Sequence, residues 1–191
     1  MKSAIAGLLL IPLSFVTSAA DWNVANDESK VNFVSIKKGD IAEVHHFKTI
    51  SGMLNEKGEF KLTVSLASVD TSIEIRDERM GSLLFEVDKF PKLTLTAQVD
   101  TKLLASLSVG DSTITTVEGL VDLHGKKVKL PFMVSIAKLS DSNLLVASAV
   151  PVIVNSDSFG LTQGVEKLRE IAGLSAISKA VPVSFILNLK K

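Results

Sequence analysis

Phe60-Lys61-Leu62-Thr63-Val64-Ser65-Leu66 alternates apolar and polar side chains without a break. Successive side chains of a β-strand point to opposite faces. Phe60, Leu62, Val64 and Leu66 therefore share one face, and Lys61, Thr63 and Ser65 the other. The same period of two returns in residues 93–99, 128–136 and 181–189. Residues 31–33, the set Val117, Gly119, Val121 and Leu123, and the run 144–154 supply further strands. The breaks between them carry turn chemistry: Asn55-Glu56-Lys57-Gly58, His124-Gly125-Lys126 and Asp141-Ser142-Asn143. About seven or eight strands joined in this way are antiparallel. Each has one apolar face, so the set needs either a second sheet or closure on itself. Pro131 and Pro182 each remove a ladder donor, which places them at an edge or a bulge, where that side of the backbone points out of the ladder.

Two segments break the period. Residues 73–85 carry Met80, Leu83 and Leu84 near helical spacing after a Thr71-Ser72 start. Residues 164–178 carry Val165, Leu168, Ile171 and Ala172 on one side and Glu166, Lys167, Arg169 and Glu170 on the other, with Gly173 placed to end the helix. No linker, low-complexity tract or repeat divides the chain.

Residues 1–20 stand apart. Lys2 precedes an apolar run from Ala4 to Val16, and Thr17-Ser18-Ala19-Ala20 follows. Charge, apolar core and small residues in this order predict a secretory signal peptide cleaved before Asp21. The apolar run, about 13 residues, is shorter than the roughly 20 needed to span a bilayer. The mature chain, residues 21–191, is then one domain with no transmembrane segment. Formal net charge is +0, and no Lys/Arg run marks a nucleic-acid surface. There is no cysteine. That excludes thiol nucleophiles, redox pairs and Cys-based zinc sites, and fits export to a bacterial periplasm.

Several strings, in order, carry a resemblance. They are Trp22; Ser29-Lys30-Val31-Asn32-Phe33; Gly52; Val69-Asp70-Thr71 followed by Ile75-Arg76-Asp77-Glu78-Arg79-Met80; Leu84-Phe85; Lys89-Phe90-Pro91; Val117-Glu118-Gly119-Leu120 with Leu123-His124-Gly125; and Asp157-Ser158-Phe159-Gly160-Leu161. Together they resemble the YceI-like family of periplasmic, lipocalin-like, polyisoprenoid-binding proteins, over essentially all of residues 21–190. The resemblance implies an all-β fold. It would be an eight-stranded antiparallel lipocalin-like barrel with a short helix after the third strand region and a helical insertion, residues 164–180, before the last strand. It also implies a binding or carrier protein, not an enzyme, whose apolar cavity holds an isoprenoid lipid such as a polyprenyl phosphate or a quinone. No cofactor is expected beyond that lipid, and a homodimer is left open. The chain departs from the family at Asn155, where the family often has Arg, and at Arg79, where it has His. The competing reading is an envelope interaction or stress-related scaffold module with no small-molecule ligand.

Phe33, Leu62, Val64, Leu95, Phe132 and Phe185 are the candidate lining of such a cavity. Arg76 and Arg79, three apart on a short helix, are candidates to hold a pyrophosphate or carbonyl head group. The alternative for each arginine is a structural ion pair with Asp77, Glu78 or a loop acid. His45 and His46 are adjacent on a strand and face opposite ways, so they make poor joint metal ligands; exposed strand-end histidines are the expectation, and no metal site is assigned. Gly110-Asp111-Ser112 has a hydrolase-like look but reads as a turn. Ser35 and Lys38 have serine–lysine spacing on a strand where such side chains diverge. No residue is assigned a catalytic role.

Overall fold

The computed structural model describes residues 21–191; the predicted signal peptide lies outside the described residues. Eight strands follow one another up and down. They are β1 (Trp22–Val24 and Lys30–Lys37), β2 (Ile41–Phe47 and Ile50–Leu54), β3 (Glu59–Ser65 and Val69–Asp70), β4 (Lys92–Gln98), β5 (Ser112–Leu123), β6 (Lys126–Ser140), β7 (Asn143–Ser148 and Val152–Asn155) and β8 (Ala180–Lys190). Each pairs antiparallel with the next. β8 closes the ring on β1 through Val24↔Leu189 and Phe185↔Val31. The fold is therefore a closed antiparallel barrel, in which every strand has a neighbour on both sides over part of its length.

The breaks inside strands are sealed locally. The interruption in β1 is a 3₁₀ turn, Asn26–Glu28, and Asn26 Oδ1 accepts from the Ile50 N–H at 2.8 Å across the matching break in β2. Ser29 Oγ accepts from the Asn188 N–H at 2.9 Å. The β5–β6 hairpin has two central residues, His124 and Gly125, both at positive φ (52° and 73°). That geometry matches the twist of the flanking strands.

Both prolines lie inside paired strands, at Glu118↔Pro131 and Ile153↔Pro182. The expectation of an edge or bulge is corrected, but its reason survives. Pro131 faces β7 beyond the point where β6–β7 pairing ends at Ser148↔Val134. Pro182 faces β1 beyond the last β8–β1 pair, Val183↔Phe33. In both cases the missing donor has no ladder partner to leave unsatisfied.

Period two sets the interior. Leu62, Leu95, Val121 and Val128 stand in one row across β3–β6. They join a core that includes Val64, Leu66, Phe159 and Leu189, all close to fully buried.

Three helices close the two ends. α1 (Glu74–Arg79) runs into a π-helical turn, Met80–Leu84, where Phe85 N–H reaches Met80 O at 2.9 Å. α2 (Thr101–Ser106) covers one end. Its Leu104, with the following Leu107, packs on Val134 and Ile136. The period-two reading missed it, although Asp100 caps it by accepting from the Lys102 N–H. α3 (Thr162–Ile171) covers the other end. It starts two residues before the predicted helix and stops near Gly173 (φ 62°) instead of reaching Ser178. Residues 174–179 are an extended strap tied to β1: Lys38 N–H donates to Ala176 O at 2.9 Å and Ser178 N–H to Ile36 O at 2.8 Å.

Candidate ligand cavity

Three chambers that share wall residues run from the α2 end of the barrel to the α1–α3 end. The central chamber, about 160 Å³, is lined by apolar side chains with Ser156 the one polar residue among them. Phe33, Leu62, Val64, Leu95, Phe132 and Phe185 all line it. Phe47, Leu66, Phe85 and Val121 complete much of its wall.

A smaller chamber of about 70 Å³ lies toward α2, lined by Leu54, Phe60, Val117, Val134, Ile136 and Leu144 among others. Leu62, Leu95, Phe132 and Phe185 border both chambers and form a waist between them. The rings of Phe132 and Phe185 are 6.3 Å apart there. Gly119 makes that waist possible. A Cβ on it would stand 2.5 Å from Leu95 Cδ1 and 2.7 Å from Phe132 Cε2.

The third chamber, about 360 Å³, opens between α1, α3 and the strap. It shares Phe33, Met80, Leu84, Val165 and Val181 with the central chamber. One wall is apolar: Leu168 and Ile171 from α3, Leu174 and Ile177 from the strap. The opposite wall is polar and comes from the inward faces of β1 and β2, where Phe33, Ser35 and Lys37 stand beside Glu43 and His45. Polarity thus rises stepwise from Phe33 outward, through Ser35 and His45, to Lys37 and Glu43 at the rim. The alternation that placed Phe33 inside also places Ser35 and Lys37, and Glu43 and His45 follow by register. That was the available signal for these four residues.

The two candidate arginines have different fates. Arg76 is committed to the protein: Nη1 donates to Glu43 at 2.8 Å, Nε to Thr71 Oγ1 at 2.8 Å and Nη2 to Thr71 O at 2.6 Å. Its acid is on β2, in place of the expected Asp77, Glu78 or loop partner. Asp77 instead accepts from Thr71 N–H and Oγ1. Arg79 lines the outer chamber, is exposed, and has no hydrogen bond or ion pair to another described residue.

Glu43 Oε2 also takes Lys37 Nζ at 2.9 Å, so one carboxylate faces two cations. The Lys37 ammonium first, and then the Arg76 guanidinium, hold the Glu43 carboxyl below the usual range against the cost of partial burial. His45 is 3 % exposed, which corrects the expectation of an exposed histidine; His46 alone faces outward, toward Asp70. His45 Nε2 pairs with Ser35 Oγ at 2.9 Å, and its Nδ1 is buried without a partner. Burial, reinforced by Arg76, pushes the imidazole below its ordinary value and keeps it neutral near pH 7.

The remaining sequence candidates are structural. Asp111 caps a turn by accepting from Ser108 N–H, and Ser35 is bound to His45, not to Lys38. Trp22 packs on the outside of the core under Lys191. Among the described residues no group of three or more His, Asp or Glu is placed to hold a metal ion. No described helix is long and apolar enough to cross a membrane.

A closed eight-stranded antiparallel barrel with apolar interior chambers and a polar mouth defines a lipocalin-like architecture. Within that class the chain belongs to the YceI-like domain family, whose match spans residues 22–189. It is similar to a polyisoprenoid binding domain from Saccharophagus degradans implicated in plant cell wall breakdown, at 34% identity and a TM-score of 0.86, over 88% of this chain and 97% of that one. Burkholderia cenocepacia BcnA shares the fold at 19% identity and a TM-score of 0.67, over 86% of this chain and 98% of that one. A Campylobacter jejuni YCEI protein shares it more distantly, at 16% identity and a TM-score of 0.52, over 77% of this chain and 84% of that one. No curated protein matches the chain.

Proposed function

We propose that the chain is an exported binding or carrier protein for an isoprenoid amphiphile, which lies with its tail in the barrel and its polar end at the α1–α3 mouth. The observation that carries this reading is the run of chambers that share walls, apolar inside the barrel and polar at the α1–α3 mouth. A prenyl tail gains about 0.8 kcal/mol per CH₂ removed from water. The branched walls of Val, Leu and Phe offer dispersion contacts along its whole length. Family membership and the similarity to a polyisoprenoid binding domain support the same ligand class. In this reading residues 1–20 direct export, and the mature chain works in the periplasm without catalysis.

The test is loading of the delipidated mature protein with geranylgeraniol, followed by native mass spectrometry. A one-to-one adduct is expected. Val64→Trp, which fills the central chamber, is expected to abolish the adduct while the far-ultraviolet circular dichroism stays that of a β-barrel. An adduct that survives the plug would place the ligand outside the barrel and sink the proposal. Cell fractionation with intact-mass analysis tests export, with a periplasmic chain beginning at Asp21 as the expected result.

A further inference from the structure

Lys37, Arg76 and Arg79 line the mouth, and two of these cations, Lys37 and Arg76, face the same oxygen of Glu43, at 2.9 and 2.8 Å. Arg76 also gives its Nε and one Nη2 donor to Thr71. One step deeper the wall offers Ser35 and His45, a hydrogen-bonded pair with no formal charge. Resting on the isoprenoid reading above, we propose that Glu43 is a specificity-determining residue: it masks Lys37 and Arg76, so that the site accepts an isoprenoid with an uncharged hydroxyl or carbonyl head in preference to a phosphorylated one.

The physical reason is a competition. A phosphate drawn to Lys37 or Arg76 must approach the carboxylate that already bridges them. It then meets like charge at short range in a half-buried site, where such repulsion is only partly screened. To displace Glu43 it would have to break two charge-assisted bonds and leave that carboxylate without its partners. An uncharged head meets neither obstacle. Its oxygen can sit against the polar wall while Glu43 keeps both cations. The neutral state of His45 agrees with this, since it adds no third positive charge next to Arg76. Arg79 lines the same chamber and has no ion-pair partner among the described residues, so it is the one cation there that Glu43 does not hold; being exposed, its charge is screened by solvent.

Two probes with the same tail, geranylgeraniol and geranylgeranyl diphosphate, separate the possibilities in a competition assay against a fluorescent prenyl ligand on the delipidated mature protein. The wild type is expected to bind the alcohol at least tenfold more tightly than the diphosphate. Glu43→Gln, nearly isosteric, unmasks both cations and is expected to raise affinity for the diphosphate and shrink that ratio several-fold. Lys37→Met in the Glu43→Gln background is expected to restore part of the ratio by removing one unmasked cation. Equal or tighter wild-type binding of the diphosphate overturns the proposal while leaving the isoprenoid reading intact; so does a ratio that Glu43→Gln does not move. Failure of both probes to bind the wild type overturns the isoprenoid reading and this inference with it. The wild-type comparison stands whether or not the variants fold.

Discussion

His45 shows what a single buried polar side chain costs and what it specifies. Its folded-state proton affinity is depressed by burial and by Arg76. An unfolded chain therefore takes up a proton below the ordinary imidazole value of 6.5 while the folded chain does not. Stability rises with pH where the unfolded state binds more protons, so it must fall as pH drops through about 6.5, until the folded histidine itself protonates. Urea unfolding at pH 7.5 and 5.5 is expected to show this loss, and His45→Gln is expected to reduce it. An unchanged pH dependence in the variant would mean that His45 is not the source. Glu43 acts in a lower window. Its depressed carboxyl contributes stability above the usual value of 4.5, which is lost as pH falls through its folded value. At this scale the sequence was partly legible. Alternation puts Phe33, Ser35 and Lys37 on one face with no structure in hand. The partner of Arg76 was not legible, because Glu43 lies 33 residues away on another strand. That pair exists only once α1 docks over β2.

Among the elements, α3 is held by one close approach. Gly164 sits where a Cβ would meet Leu84 Cα at 2.7 Å and Leu83 O at 2.8 Å, so the helix rests directly on the backbone of the π-helical turn. Gly164→Ala gains up to about 1 kcal/mol of helix propensity. Forcing a methyl against main-chain atoms costs about 1–3 kcal/mol or more, since neither atom is the end of a flexible side chain. The clash wins. The melting temperature is expected to fall by roughly 2–8 °C, about 2–4 °C per kcal/mol for a chain of this size. Thermal denaturation checks it, and an unchanged or raised midpoint would contradict the packing described. The amphipathic stripe Val165, Leu168 and Ile171 made α3 visible in the sequence, and Gly173 marked its end. Residues 174–179 were not separable from the helix by pattern, because their extended form depends on hydrogen bonds to β1. α2 was hidden for a different reason. It is six residues long, and its cue is one capping aspartate, Asp100, not a repeat.

At the scale of the whole molecule, alternation alone leaves a sandwich and a barrel equally open, because either one buries the inward face of every strand. Closure is decided at the seam, by Val24↔Leu189 and Phe185↔Val31, two pairings between the ends of the chain that no local pattern reports. The resemblance to the YceI-like family, which rested on the order of short strings such as Asp157-Ser158-Phe159-Gly160-Leu161, supplied that choice, and the fold agrees with it. Whether the interior is filled or hollow was less legible still. It depends on how side-chain volumes sum around a ring, and on Gly119, whose missing side chain lets Phe132 and Leu95 meet at the waist while chambers remain on both sides. In the proposed function these chambers hold the tail of an isoprenoid amphiphile in the living cell. Native mass spectrometry of the protein purified from a periplasmic extract, with the released material identified after denaturation, tests it most directly. A stoichiometric isoprenoid adduct with an uncharged head is expected. A clean apo mass that persists after incubation with prenyl alcohols and quinones would contradict it.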